Sequence, residues 1–341
     1  MATTDLNKWL SLVSEDALDP QLPIIDPHYH LWDHPDNRYV AEDFLTDTAS
    51  GHNIVQSVFV ECTSMYRKTG PDELKPVGET EYVRELAEKS DAIAPSRTKV
   101  ATGIVGFADL TLGGGVAPVL AAHIETGGGR FRGIRHASGW DASGDVRNSH
   151  THPPSGLLSE NRFREGFACL SEHGLSFDAW HYHPQIPELI SLARAFPGTS
   201  IILDHVGGPL GIGPYAGKRD QIFRQWKLDI AELATCENVN VKLGGLAMKI
   251  CGFGWHMQEK PPSSQQLADA AVPYYLHCIE QFGVARCMFE SNFPVDKLSC
   301  SYSVLWNSFK RIAGGCSDSE RRNLFHDTAA RVYGLPAVRS Q

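Results

Sequence analysis

The sequence predicts an α/β fold, a (β/α)₈ barrel in a single domain with long loops after several strands. Three observations predict it. Eight short runs rich in Val, Ile, Phe and Leu recur along the 341 residues. Segments with a helical period lie between most of them. The three longest connections all follow a strand, on the face where such a barrel carries its active site. Two dinucleotide-binding halves would need a G-x-G-x-x-G turn after a strand. The glycine runs 113–115 and 127–129 lack that spacing and read as turns.

Strands are expected at Ile24–His30, Ile54–Cys62, Lys99–Phe107, Phe131–His136, Leu175–Trp180, Ser200–His205, Asn238–Leu243 and Arg286–Ser291. Between the fifth and sixth, Leu189, Leu192, Ala193 and Phe196 form one face of a helix over Pro187–Phe196. After Pro262, Leu267, Ala271, Tyr274, Tyr275, Cys278 and Phe282 form another. Ser317-Asp-Ser-Glu320 is a capping box opening a last helix that carries Leu324, Ala329 and Val332. The long connections are Thr63–Val77, Ala137–Ser159 and Gly244–Ser263. With no linker or repeat, the reading is an N-terminal extension over 1–22, a barrel over 23–335 and a tail over 336–341.

Apolar residues make up 42% and charged residues 21%, enough for a large core, and the net charge of −9 excludes a basic nucleic-acid footprint. No apolar run approaches the roughly 18 residues of a membrane span. The N-terminus lacks the pattern of a secretory signal, and the eight cysteines contain no C-x-x-C pair. Reduced buried thiols and a cytoplasmic location are expected.

The strongest chemical signal is Ile24-Ile-Asp-Pro-His-Tyr-His-Leu-Trp-Asp33. Positions i and i+2 of a strand share a face, so His28 and His30 can both point into a barrel mouth, where imidazoles suit Zn²⁺ and similar ions. This opening resembles the amidohydrolase superfamily, in its amidohydrolase-2 branch of lactonase-like proteins. Leu203-Asp-His-Val-Gly-Gly208, Phe131-Arg-Gly-Ile-Arg135, Val241-Lys-Leu-Gly-Gly245 and Arg286-Cys-Met-Phe-Glu-Ser-Asn-Phe-Pro-Val-Asp296 resemble further strand-end motifs of that branch. The resemblance implies a TIM barrel, chemistry at a carbonyl, a small acidic or lactone substrate and a divalent metal, Zn²⁺ first, in some members. It also implies that His205 faces the site, with Asp204 on the opposite face of its strand, and that an inward histidine ends the fifth strand. His183 is the expected one, joining His28 and His30 as a metal ligand, although His181 shares its face.

The resemblance fails at the eighth strand, where the family's proton-accepting aspartate is Asn292. An amide cannot take that proton, which leaves Glu290, Asp296 or His205 as the base. A buried ion pair between Glu290 and Lys242 is the competing structural reading. Arg135 is expected to grip a carboxylate or carbonyl, with Glu61 orienting it. Lys242 is read as a carbonyl-polarising amine, a Schiff-base former or a partner of a carboxylate. Trp140 and Trp255 are read as lids, and the His150-Thr-His152 pair as part of a solvated loop. The expected function is hydrolysis of a small lactone of sugar-acid or dicarboxylate type. The alternatives are a non-oxidative decarboxylase, a lactone isomerase and a catalytically silent small-molecule binding protein. No nucleic-acid or membrane partner is expected, and a homo-oligomer stays open.

Overall fold

The computed structural model describes residues 3–34, 37–92 and 98–337. Eight parallel strands run β1 Pro23–Tyr29, β2 Asn53–Val60, β3 Lys99–Gly106, β4 Phe131–Ile134, β5 Ser176–Ala179, β6 Ile201–Leu203, β7 Val239–Leu243 and β8 Cys287–Phe289. They pair in chain order from β1 to β8. Strands of this kind are covered on both faces, which is why they read as near-continuous apolar runs. Ile24, Ile54, Ile104, Ile201 and Val241 are all fully buried.

The barrel is nearly closed by the segment beyond β8 rather than by a β8–β1 ladder. Tyr29 bridges Phe293. The Asn292 N–H donates to the His28 carbonyl at 2.9 Å, and the His30 N–H to the Phe293 carbonyl at 2.8 Å. Beneath the bridge, Asp26 accepts from the Ser291 hydroxyl at 2.6 Å and the Tyr302 hydroxyl at 2.9 Å.

The helices follow from the sequence periodicity. All six apolar positions expected on the helix after Pro262 are buried along Ser264–Phe282. The Ser317–Glu320 capping box is present, but the helix behind it is only Asp318–Arg322, followed by a π-helical turn at Asn323–Asp327. The N-terminal segment is tied to the barrel. Trp9 donates to the Gln258 carbonyl in the seventh-strand loop, and Asn307 bonds Glu15, Asp16 and Leu18. The eight cysteines are free, and no described helix is long and apolar enough to cross a membrane.

All strands but β7 stop one or two residues earlier than the apolar runs suggest. β1 ends at Tyr29, β6 at Leu203 and β8 at Phe289. His205, Val206 and Asn292 then take left-handed backbone angles, with φ of 53°, 49° and 53°. Such angles break the in–out alternation of a strand and re-aim side chains.

Candidate active site

The floor of the site is an ion cluster inside the barrel. The Lys242 ammonium on β7 stands 2.6 Å from Asp178 of β5 and 3.0 Å from Asp204, with all three side chains fully buried. It also lies 3.1 Å from His28 Nδ1, and the Tyr333 hydroxyl donates to Asp178 at 2.7 Å. Burial would lower the Lys242 pKa, but Asp178, Asp204 and Glu290 outweigh it and hold the ammonium above its ordinary value. An amine held protonated is a poor nucleophile, which tells against the Schiff-base reading. Burial pushes Asp178 up to about 6 despite Lys242.

Above this floor His28 is the hub. Its Nδ1 is 2.8 Å from Glu290 Oε2, and its Nε2 is 3.2 Å from His30 Nε2 and 3.3 Å from Arg135 Nη1. Burial and Lys242 press the His28 pKa well below the usual imidazole range. Burial and Arg135 press that of His30 down to about 3. Both rings are therefore neutral at pH 7. His30 Nδ1 bonds the Val60 carbonyl at 2.8 Å, which fixes the ring's tautomer and leaves Nε2 as its acceptor.

His205 and Glu290 form a close pair, Nδ1 to Oε1 at 2.6 Å, and the ring centroids of His205 and His28 are 4.5 Å apart. The His205 N–H also donates to Glu290 Oε1. Burial would raise the Glu290 pKa, but His205 and His28 bring it down to about 2. Glu290 is thus a carboxylate engaged by two imidazoles, and the competing reading of a Glu290–Lys242 pair gives way to pairing of Lys242 with Asp178 and Asp204. A carboxylate so stabilised is a weak acceptor for a proton from water.

Arg135 and Glu61 make the third unit. Arg135 Nε donates to Glu61 Oε1 at 2.7 Å and its Nη2 to the Glu61 carbonyl. Burial would raise the Glu61 pKa, but Arg135 and His150 hold it at about 2.

Three sequence expectations change. Asp204 does not face away from the site: the left-handed turn at His205 lets Asp204 and His205 share it, with Asp204 Oδ1 3.6 Å from His28 Nδ1. His183 does not gather with His28 and His30. It sits in the turn His183–Gln185, accepts from the Leu210 N–H and packs against Tyr215. It is His181 whose Nε2 is buried without a hydrogen-bond partner among the described residues. Asn292 donates to Asp296 at 3.1 Å, so these two engage each other. Burial pushes the Asp296 carboxyl well above its usual range. His150 is no solvated loop residue, because its Nε2 lies 3.0 Å from Glu61 Oε2. Trp140 is half-buried with its N–H bonded to Gln185, and Trp255 stacks on Phe253. Two other tryptophans stand against the histidines: Trp32 stacks near His30 and Trp180 meets His205 edge-on. The W-D-H run after His30 was the available signal for Trp32. Nothing local in the sequence announces Trp180, and nothing near the His150-Thr-His152 pair points to Glu61 as its partner.

The donors fit a divalent cation. Two imidazole nitrogens bound at about 2.0–2.1 Å to one tetrahedral Zn²⁺ stand roughly 3.3 Å apart, and the Nε2 atoms of His28 and His30 are 3.2 Å apart. Ligand atoms of His28, Asp204 and His205 lie within 4.8 Å of one another, although Asp204 Oδ1 is already 3.0 Å from Lys242.

The chain is 34% identical to the uncharacterized protein y4mH of Sinorhizobium fredii over 92% of its length and 98% of that protein's. It is 27% identical to an L-fucono-1,5-lactonase of Burkholderia multivorans, over 92% of this chain and 96% of that one. A crystal structure of a zinc-bound amidohydrolase from Burkholderia multivorans superposes with a TM-score of 0.69 at 24% identity, covering 92% of this chain and 99% of the other. The family model described as Amidohydrolase matches residues 25–335. With its eight-stranded barrel and its histidine cluster at the strand ends, the chain belongs to the amidohydrolase family and is a hydrolase of that type.

Proposed function

We propose that this protein hydrolyses a small lactone of sugar-acid or dicarboxylate type by attack of water on the ring carbonyl. The observation that carries the reading is the Glu290–His205 pair. With Nδ1 donating to Glu290 at 2.6 Å, the free nitrogen of His205 is Nε2, an acceptor oriented by a buried carboxylate. It takes the proton of the attacking water, the role that Asn292 cannot fill. Arg135 faces the carbonyl oxygen as negative charge develops on it, and Trp32 and Trp180 flank the two catalytic-side histidines and exclude water. A divalent cation held by His28 and His30 through their Nε2 atoms would supply Lewis acidity toward the carbonyl. The L-fucono-1,5-lactonase relatives support the substrate class.

The test is acid release from a panel of 1,4- and 1,5-lactones, L-fucono-1,5-lactone included, with Zn²⁺ or Mn²⁺ and after chelation. Turnover of at least one lactone is expected. Failure on every lactone, or CO₂ release from an aromatic carboxylate instead, overturns the proposal.

A further inference from the structure

The loop after β4 carries a histidine that the hydrolysis above leaves unused. His150 places Nε2 3.0 Å from Glu61 Oε2. Its position is built, because its neighbours are pinned on both sides. The Ser149 N–H donates to the Gly139 carbonyl at 2.8 Å. The Thr151 hydroxyl bonds the Ala137 carbonyl, and the Tyr182 hydroxyl bonds that of Arg147. The His150 side chain is 32% exposed over a fully buried Glu61. Among the described residues, its Nδ1 has no hydrogen-bond partner.

The site therefore holds two imidazole–carboxylate pairs, His205–Glu290 and His150–Glu61. A continuous line of contacts joins them. Glu290 touches His28 Nδ1 at 2.8 Å, His28 Nε2 meets Arg135 at 3.3 Å, and Arg135 meets Glu61 at 2.7 Å. His28 and Arg135, the latter facing the carbonyl in the lactonase reading, lie in the middle of this line, with one imidazole at each end. Opening a lactone needs a proton taken from water and a proton given to the departing ring oxygen.

We propose that His150 is a catalytic residue, the acid that protonates the ring oxygen of the lactone from Nδ1 while Glu61 holds Nε2. This rests on the lactonase reading above. The water oxygen bonds the carbonyl carbon as its proton passes to His205 Nε2, and the carbonyl electron pair moves onto its oxygen beside Arg135. That pair then re-forms the carbonyl. The bond from carbon to ring oxygen breaks, and the ring oxygen leaves with the bonding electrons and takes the Nδ1 proton of the His150 imidazolium. His150 is left neutral, its Nε2–H still donating to Glu61. Both histidines recover their starting protons by exchange with solvent, and the net change is addition of one water to give the hydroxy acid.

The test uses the lactone that the wild-type protein turns over fastest. His150→Gln keeps a donor toward Glu61 but holds no transferable proton, and should lose about 10²–10⁴ in kcat, the range for a lost general acid. His150→Ala should lose as much and recover at least tenfold when imidazole is added. Pyrazole has the same shape but is not protonated near neutral pH, so it should restore nothing. Full activity in His150→Gln overturns the proposal, and so does loss without imidazole rescue. Equal rescue by pyrazole also overturns it, since that marks a gap being filled. A wild-type protein that opens no lactone overturns the lactonase reading instead.

Discussion

The two layers of the site use the same kinds of side chain to different ends. In the lower layer, Lys242, Asp178, Asp204 and Tyr333 are wholly enclosed and the charges answer one another inside the barrel. In the upper layer, His30, Arg135 and His205 are buried and His150 is 32% exposed, but each imidazole has one nitrogen committed to a partner and one turned elsewhere. A charged group that is fully answered builds structure, whereas a group anchored on one side only is free to act on a substrate.

This contrast is open to test. The largest effect is expected in the lower layer. Lys242→Met strands two buried carboxylates and should cost about 3–5 kcal/mol of stability, the usual penalty for removing one partner of a buried pair. Chemical denaturation measures it, and a cost below about 1 kcal/mol would erase the distinction between the layers.

In the upper layer, His205→Gln should lower kcat by about 10²–10⁴-fold with a much smaller change in stability. Glu290→Gln should fall within about tenfold of it, because groups that act as a unit do not contribute additively. If Glu290→Gln kept full kcat while His205→Gln lost it, orientation of the imidazole by Glu290 would be refuted.

Smaller effects are expected at the loops. Trp140→Ala and Trp255→Ala should raise KM several-fold, roughly the 1 kcal/mol of one lost aromatic contact, with melting temperature nearly unchanged. Unchanged KM in both removes the lid role.

The smallest effect lies just outside the site. Glu79 accepts from the Cys62 and Ser64 N–H groups beside Glu61, and burial, with Glu61, raises its pKa to about 8. Its folded pKa exceeds the unfolded one, so its contribution is full below about pH 4.3 and is lost as pH rises through 8. Glu79→Gln should therefore melt on the order of 2 °C higher than wild type at pH 9 and nearly equally below about pH 4. Glu61 and Glu290 run the other way. Their pKa values of about 2 stabilise the fold at neutral pH, and that stabilisation fades as pH falls toward 2.

The sequence by itself determined the barrel and much of the site's cast. Parallel strands buried on both faces leave apolar runs that can be read directly, and the i, i+2 spacing of His28 and His30 needs only the pleat of a strand to bring them together. The glutamate two positions before Asn292 was visible for the same reason.

Only the tertiary structure decided which groups meet. Left-handed residues at His205 and Asn292, neither of them glycine, brought His205 onto the side that Asp204 shares with Ile202 and turned Asn292 toward Asp296. Lys242 had three carboxylates within the barrel, and strand stagger gave it Asp178 and Asp204 while leaving Glu290 to the histidines. His150 reached Glu61 across 89 residues of chain. Periodicity records which face of an element is buried, but partnership across a closed barrel depends on where each strand stops and how the loops return, and no local pattern carries that.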